Sequence, residues 1–415
     1  STQLTAVAGK GYFLDTNTGV IEVILPSSPS RGDTVVLADY GGNFATNNVI
    51  VNAGSNLIDS VETVGFGQGY KLSTNNLVVE LVYVDSSKGW LVQENEAKSS
   101  LTAADDTNPF YIEATGGTVS TVNTNFKVHV FTGDGCFVVA TAGNCAGSNK
   151  VSYMVVAGGG GSVYDRGGGG GAGGYREGKD TPNDSFTASP LAAACSGLPV
   201  SVQTYPITVG AGGAGDNDSP HTTGNSGSNS VFSTITSAGG GAGNRTTPGS
   251  AGGSGGGGGH SGCGCGTGGA GNTPPVSPPQ GNNGGNRHPF GSPGGVPNSA
   301  GGGGGGTGGG SGGTSGSGGS GGAGATTNIT GSPVAYSGGG GGGGEVASGG
   351  SGGSGGGAAG KGVGCGQTGN AGSANTGGGG GGTGWGSGSP GSGSPAGPGG
   401  AGGKGIVVIR YKFQN

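Results

Sequence analysis

The sequence predicts an all-β protein with little or no α-helix: β modules at the front, followed by a glycine-rich bundle in the polyglycine II, PPII-like conformation. Three observations lead there. Glycine supplies 115 of 415 residues and is concentrated between Ala157 and Gly405, in runs such as Gly301 to Gly306. That stretch is bracketed by two apolar, β-branched segments of strand type, Val151-Ser-Tyr-Met-Val-Val156 and Ile406-Val-Val-Ile-Arg-Tyr-Lys-Phe413. Residues 1–96 have ordinary composition, with short apolar runs between turn residues and no amphipathic segment of helix length.

Collagen requires a fixed glycine triplet, which these irregular runs lack. A solvated Gly/Ser linker has no reason to lie between matching strands, nor to place Tyr205-Pro-Ile-Thr-Val209 and Val231 to Ile235 where they run into glycine. Ordered packing is therefore the expected state. Without Cβ atoms, extended helices of three residues per turn approach closely and turn their N–H and C=O groups outward to neighbours. Each hydrogen bond contributes about 1 kcal/mol net, against about 1–2 kcal/mol to order each backbone residue. The arrangement holds only where a strand is surrounded, so that every buried donor is paired. Glycines in mid-run, such as Gly303 and Gly341, are expected to reject a side chain, whereas Gly281 is expected to tolerate one in a loop. Segments 177–203, 216–229, 272–298, 325–337 and 367–376 carry Pro, Asn and Asp and read as loops at the rod ends.

The expected organisation is a β module over 1–96, a connector over 97–156, the glycine bundle over 157–405 and a closing strand over 406–415. In the first module, Gly11–Leu14, Val20–Leu25, Thr34–Ala38, Asn48–Val51, Leu77–Val84 and Gly89–Val92 read as strands, with Trp90 and Tyr83 as packing residues. In the connector, Phe126–Phe131 and Cys136–Val139 flank Gly133-Asp-Gly135 and read as a hairpin that seeds the bundle.

A formal charge of −5 with 9% charged residues leaves no basic footprint for nucleic acid and no polybasic patch for a membrane. No apolar span of membrane length and no export signal at Ser1 is evident. Six cysteines permit many pairings. Cys136 with Cys145, and Cys365 with Cys263 or Cys265, are candidate disulfides, and buried reduced thiols are the alternative. His260-Ser-Gly-Cys263-Gly-Cys265 brings three soft ligands together but lacks a fourth, so no metal and no cofactor is expected. Gly355 to Lys361 imitates a phosphate loop, but Gly362 stands where Ser or Thr is needed and no strand feeds it. Carboxylates after Val151 fall in separate turn-like segments, and no histidine has an orienting acid nearby in sequence. An enzyme is not expected.

Certain segments resemble a known family. Gly9-Lys-Gly-Tyr-Phe-Leu-Asp-Thr-Asn-Thr-Gly19, Val23-Ile-Leu-Pro-Ser-Ser-Pro-Ser-Arg-Gly-Asp33 and Leu81-Val-Tyr-Val-Asp-Ser-Ser-Lys-Gly-Trp90 resemble a β module of tail-fibre and virion proteins of aquatic phages, especially cyanophages. Val128-His-Val-Phe-Thr-Gly-Asp-Gly-Cys-Phe-Val138, Tyr153-Met-Val-Val-Ala-Gly-Gly-Gly-Gly161, Tyr205-Pro-Ile-Thr-Val-Gly-Ala-Gly-Gly213 and Gly405-Ile-Val-Val-Ile-Arg-Tyr411 resemble the glycine-rich domain that ends many such fibres. The resemblance implies an extracellular virion protein, a homotrimer attached to other tail, neck or capsid proteins, with an adhesive end that meets a host surface receptor, glycan or outer-membrane protein. The loop residues expected to make that contact are Tyr164, Arg166, Phe186, Arg287, His288, Phe290, Tyr336 and Trp385, the alternative for each being intramolecular packing. Competing readings are a virion decoration or extracellular filament without a receptor, and an ice-binding bundle, which would need a regular triplet and a flat Thr/Ala face.

Overall fold

The computed structural model describes residues 2–62, 69–95, 109–144, 147–193, 197–216, 223–260, 266–289, 298–364, 367–385 and 397–414, and these contain strands and no helix. Two compact units are present, the first formed by Ser1–Pro109 with Asn144–Ala146, the second by Phe110–Gly143 with Gly147–Asn415. The strands expected in the connector thus belong to the same compact unit as the glycine region.

In the first unit the chain alternates between two sheets. Strands β1 (Thr2–Thr5), β3 (Ile21–Ile24), β5 (Val49–Asn52) and β8 (Tyr70–Leu72) form one; β2 (Lys10–Leu14), β4 (Thr34–Asp39), β6 (Leu57–Ile58), β7 (Val61–Glu62), β9 (Val78–Asp85) and β10 (Gly89–Asn95) form the other. Because successive strands change layers, β1, β3 and β5 run parallel without crossover helices, as do β2 and β4. Only β9 and β10 make a long antiparallel hairpin. The period-two pattern sends Val23, Val35, Leu37, Val49, Val79 and Leu81 into one core. Trp90 is fully buried there and meets Tyr83 edge-on at 5.5 Å, the packing role expected of both.

The second unit begins as a sandwich. One sheet contains β11 (Ile112–Thr115), β14 (Gly135–Ala142), β19 (Gln203–Thr208), β20 (Ser230–Phe232) and β21 (Ile235–Ser237), in the order β11-β14-β19-β20-β21. The other follows the order β12-β13-β24-β15-β16-β17, built from β12 (Thr118–Val122), β13 (Phe126–Phe131), β15 (Lys150–Val156), β16 (Tyr175–Gly178), β17 (Ala192–Ala193) and β24 (Ile406–Lys412), with β18 (Leu198–Pro199) paired to β15. A separate hairpin joins β22 (Ala325–Thr327) to β23 (Val334–Tyr336). The expected hairpin between β13 and β14 does not form: each pairs within a different sheet, and 132–134 is an arch between layers. Phe131 and Phe137 then enter one core from two different sheets, whereas a hairpin would have placed both on the same sheet.

Strands β15 and β24 read as unbroken apolar runs because both faces are covered. Tyr153, Val155, Val407 and Ile409 enter the core between the sheets, while Met154, Val156, Ile406 and Val408 pack on the opposite side against Phe186, Ile329 and Tyr336.

The glycine runs continue from these strands as polyglycine II helices, recognisable by hydrogen bonding of period three. In 167–174, Gly168, Gly171 and Gly174 donate to Asn244, Gly241 and Ala238; Gly169 and Ala172 donate to Gly301 and Gly304; Gly170 and Gly173 donate to Gly380 and Gly377. Its carbonyls accept from three other segments, as in Gly257 to Gly169, Gly340 to Gly170 and Gly160 to Gly171, all at 2.8–2.9 Å. This helix is therefore surrounded on six sides. A Cβ at Gly303 would fall on the Gly170 carbonyl oxygen, and one at Gly341 on that of Gly350.

Described parts of several expected loops are in fact helices of this bundle. Within 223–229, 280–287 and 367–376, residues such as Gly227, Gly284 and Gly372 donate to neighbouring helices, and 325–337 holds the β22–β23 hairpin. A helix at the rim needs glycine only where it faces a neighbour: in Gly210-Ala-Gly-Gly-Ala-Gly215, Ala211 and Ala214 are exposed. Gly281 is likewise packed, since its Cβ would strike Ser254 Oγ and the Gly253 carbonyl. It is not the tolerant site expected from sequence.

Buried His129 links the second sheet to the core, with Nδ1 2.7 Å from the Gly116 carbonyl and Nε2 3.1 Å from Tyr411 Oη. Burial lowers its pKa below the usual 6.5, overriding the Gly116 hydrogen bond, and burial raises Tyr411 to about 12. The unfolded imidazole therefore takes up a proton before the folded one. Stability from this site is fully present above about pH 6.5 and is lost as pH falls below it. Denaturation curves at stepped pH should show this acid loss in the parent chain and a shallower one in His129→Gln.

Candidate functional site

Successive glycine helices run away from the sheets and back, so their outer turns gather at one end of the bundle. The turn at 163–166 joins 157–162 to 167–174; Arg245, His260, Glu345 and Trp385 directly follow outward runs, and Asn298 opens an inward one. Asp165 and Arg166 hold left-handed backbone, with φ of 48° and 55°, a conformation non-glycine residues adopt at a cost and one that clusters at functional sites.

These residues form a chain of contacts. The Arg166 guanidinium lies 5.4 Å from the Trp385 ring centroid, within cation–π range, and pairs with Asp165 at 3.2 Å and Glu345 at 3.1 Å. Arg245 pairs with the other Asp165 oxygen, donates from Nη1 to Tyr164 Oη at 3.1 Å and lies 5.1 Å from the Tyr164 ring centroid. Glu345 also accepts the Asn298 backbone N–H, and its own N–H donates to Ser299 Oγ at 3.3 Å. The two arginines and two carboxylates cancel in formal charge. Their side chains are mostly buried, which strengthens these pairs relative to exposed ones and fixes both aromatic rings.

His260 donates its backbone N–H to the Arg166 carbonyl at 3.3 Å. Burial, then the nearby Arg166, lowers its pKa, while Glu345 and Asp165 oppose the shift. The carboxylates are held as hydrogen-bond acceptors and the rings as platforms, an arrangement suited to recognition. Among the described residues no group of three or more His, Cys, Asp or Glu side chains could hold a metal ion. None of their helices is long and apolar enough to cross a membrane.

Of the loop residues expected from sequence, Tyr164, Arg166 and Trp385 come together here. Arg287 and His288 lie at the same end, their N–H groups bonded to the Gly266 and Ser299 carbonyls, with the Arg287 side chain buried. Phe186 and Tyr336 do not belong to the site: they are 4% and 5% exposed and pack under the seven-stranded sheet, the former beside Arg410. Phe290, Cys145, Cys263, Cys265 and Cys365 lie outside the described residues. Cys136 is an exposed free thiol on the outer face of β14, turned away from the core that Phe137 enters. Sequence reasoning missed Asp165, Arg245 and Glu345 as partners. The signal was local: Gly344-Glu345, Gly243-Asn-Arg245 and Gly384-Trp385 each end an outward glycine run on a side chain able to make a directed contact.

The fold and this end define an all-β protein whose strands extend into a polyglycine II bundle tipped with charged and aromatic residues. A family model described as a glycine-rich domain matches residues 132–412, and the chain belongs to that family. No curated protein sequence matches it.

Proposed function

We propose that this protein is a structural fibre protein of a bacteriophage virion, a tail fibre or adhesin that attaches to the host surface through the outer turns of its glycine bundle. The observation that carries the reading is the convergence of Tyr164, Arg166, Arg245 and Trp385 at one end of a hydrogen-bonded platform. Rigid scaffolds with changeable loops suit recognition, because the turns can vary while the rods keep their bonds. The resemblance of both parts of the chain to phage fibre segments supports the virion setting, with other tail, neck or capsid proteins as partners.

In this reading purified chain competes with virions for adsorption to host cells, and Trp385→Ala competes at least tenfold less well, a loss of about 1.4 kcal/mol. Undiminished competition by the variant would overturn the assignment of this end, and immunogold labelling that finds the chain on no virion would overturn the setting. The assembly is a homotrimer, since repeating the tip raises avidity and a closed assembly covers strand edges. Light scattering should return three times the chain mass of 38.5 kDa; a monomer at micromolar concentration contradicts it.

A further inference from the structure

We infer that the tip binds a neutral saccharide, with Trp385 as the stacking platform; this rests on the attachment reading above and names its ligand class. Two features of the site select that chemistry. First, Arg166 and Arg245 are matched by Asp165 and Glu345, so neither guanidinium beside the two rings is left without a carboxylate to attract a phosphate, a sulfate or an acidic sugar. An anion would have to displace carboxylates already bonded to both guanidinium groups. Second, three buried polar atoms around this ionic chain have no hydrogen-bond partner: Arg245 Nε, His260 Nδ1 and Asn298 Oδ1, Asn298 being 8% exposed. Each belongs to a residue already bonded to the chain, through Asp165, Arg166 and Glu345 respectively.

Arg245 Nε can only donate, Asn298 Oδ1 can only accept, and His260 Nδ1 does either according to its tautomer. Carboxylate and sulfate groups offer acceptors alone and ammonium groups offer donors alone. A hydroxyl does both, so a ring bearing several hydroxyls matches the mixture and relieves the penalty of leaving buried polar atoms unpaired. The apolar face of such a ring lies on an aromatic side chain, and Trp385 is 37% exposed with Arg166 holding its orientation. Tyr164 and Arg245 provide a second ring fixed in the same way.

The test uses the intact chain and five probes: maltotriose, cellotriose, chitotriose, sialyllactose and inorganic phosphate. The sequence has two tryptophans and Trp90 is fully buried, so a fluorescence change on binding reports Trp385. The expected result is a saturable change with at least one neutral trisaccharide, with a midpoint on the order of 1 mM. That midpoint should move less than about twofold between roughly 50 and 500 mM salt, as for a ligand without charge. Calorimetry, which does not depend on the fluorophore, should show the binding heat lost in Trp385→Ala while its melting curve matches the parent. No response to any neutral trisaccharide overturns the inference. So does a response confined to sialyllactose or phosphate that fades with salt, or binding heat that survives Trp385→Ala. If saccharide binding is absent while Trp385→Ala still weakens competition for host cells, the attachment reading stands and the ligand class falls.

Discussion

Gly303→Ala is expected to destabilise the bundle severely, by the upper part of the roughly 1–3 kcal/mol usual for overpacking or more. The added methyl falls on the carbonyl oxygen of Gly170, and that oxygen accepts the N–H of Gly340. Side chains move aside when crowded; a backbone bonded on several sides moves only by breaking bonds. Gly309→Ala is the control. Gly309 is exposed on a rim helix, and its Cβ would meet only the Asn283 carbonyl oxygen at 3.4 Å. That change should be neutral or stabilising by up to about 1 kcal/mol, because alanine restricts the unfolded chain. Thermal melting and protease resistance of the two variants side by side measure the contrast, and equal behaviour would refute a packed bundle.

Asp184→Ala is expected to cost about 3–5 kcal/mol, the usual penalty for stranding one member of a buried ion pair. Arg410 Nε lies 3.0 Å from both Asp184 oxygens, and the two side chains are 0% and 3% exposed. The guanidinium is enclosed by the rings of Phe126 and Phe186 at 4.4 and 5.3 Å, and Nη1 donates to the Ile329 carbonyl at 3.2 Å. Without Asp184 a full charge remains among aromatic rings, out of reach of water. Replacing both partners, as Arg410→Met with Asp184→Leu, should recover much of the loss. Chemical denaturation of the single and double variants decides it, and a single variant within 1 kcal/mol of the parent, roughly the value of an exposed pair, would show the pair to be solvated.

Much of the fold was legible because the central strands are apolar on both faces. Val151–Val156 and Ile406–Phe413 announce a covered sheet, and matching segments on either side of a glycine tract announce that the tract is packed. The partner of each strand was not legible. Phe126–Phe131 and Gly135–Ala142 have the spacing of a hairpin, and only burial of both in one core shows them to be an arch. Rim helices were misread for a related reason: the asparagines in 280–287 look like turn chemistry when the inward-facing glycines are not distinguished from the outward positions. At the tip, the aromatic residues could be named from sequence. Their ionic partners could not, because Arg166 and Glu345 are 179 positions apart and meet only when two helices end at the same level.

The order of the strands has a consequence for how the protein is made. Strand β24 follows every other described strand in sequence, yet it lies in the middle of its sheet, between β13 and β15. Until a ribosome has delivered residues 406–412, those two strands have a gap between them, with unpaired edges and apolar faces open to water. Such contacts between distant parts of a chain form slowly, and exposed edges of this kind invite aggregation and proteolysis. A product of interrupted translation would thus carry every residue of the tip except the means to hold it in place. Chains that stop short of residues 406–412 are therefore expected to be cut by proteases faster than chains that contain them.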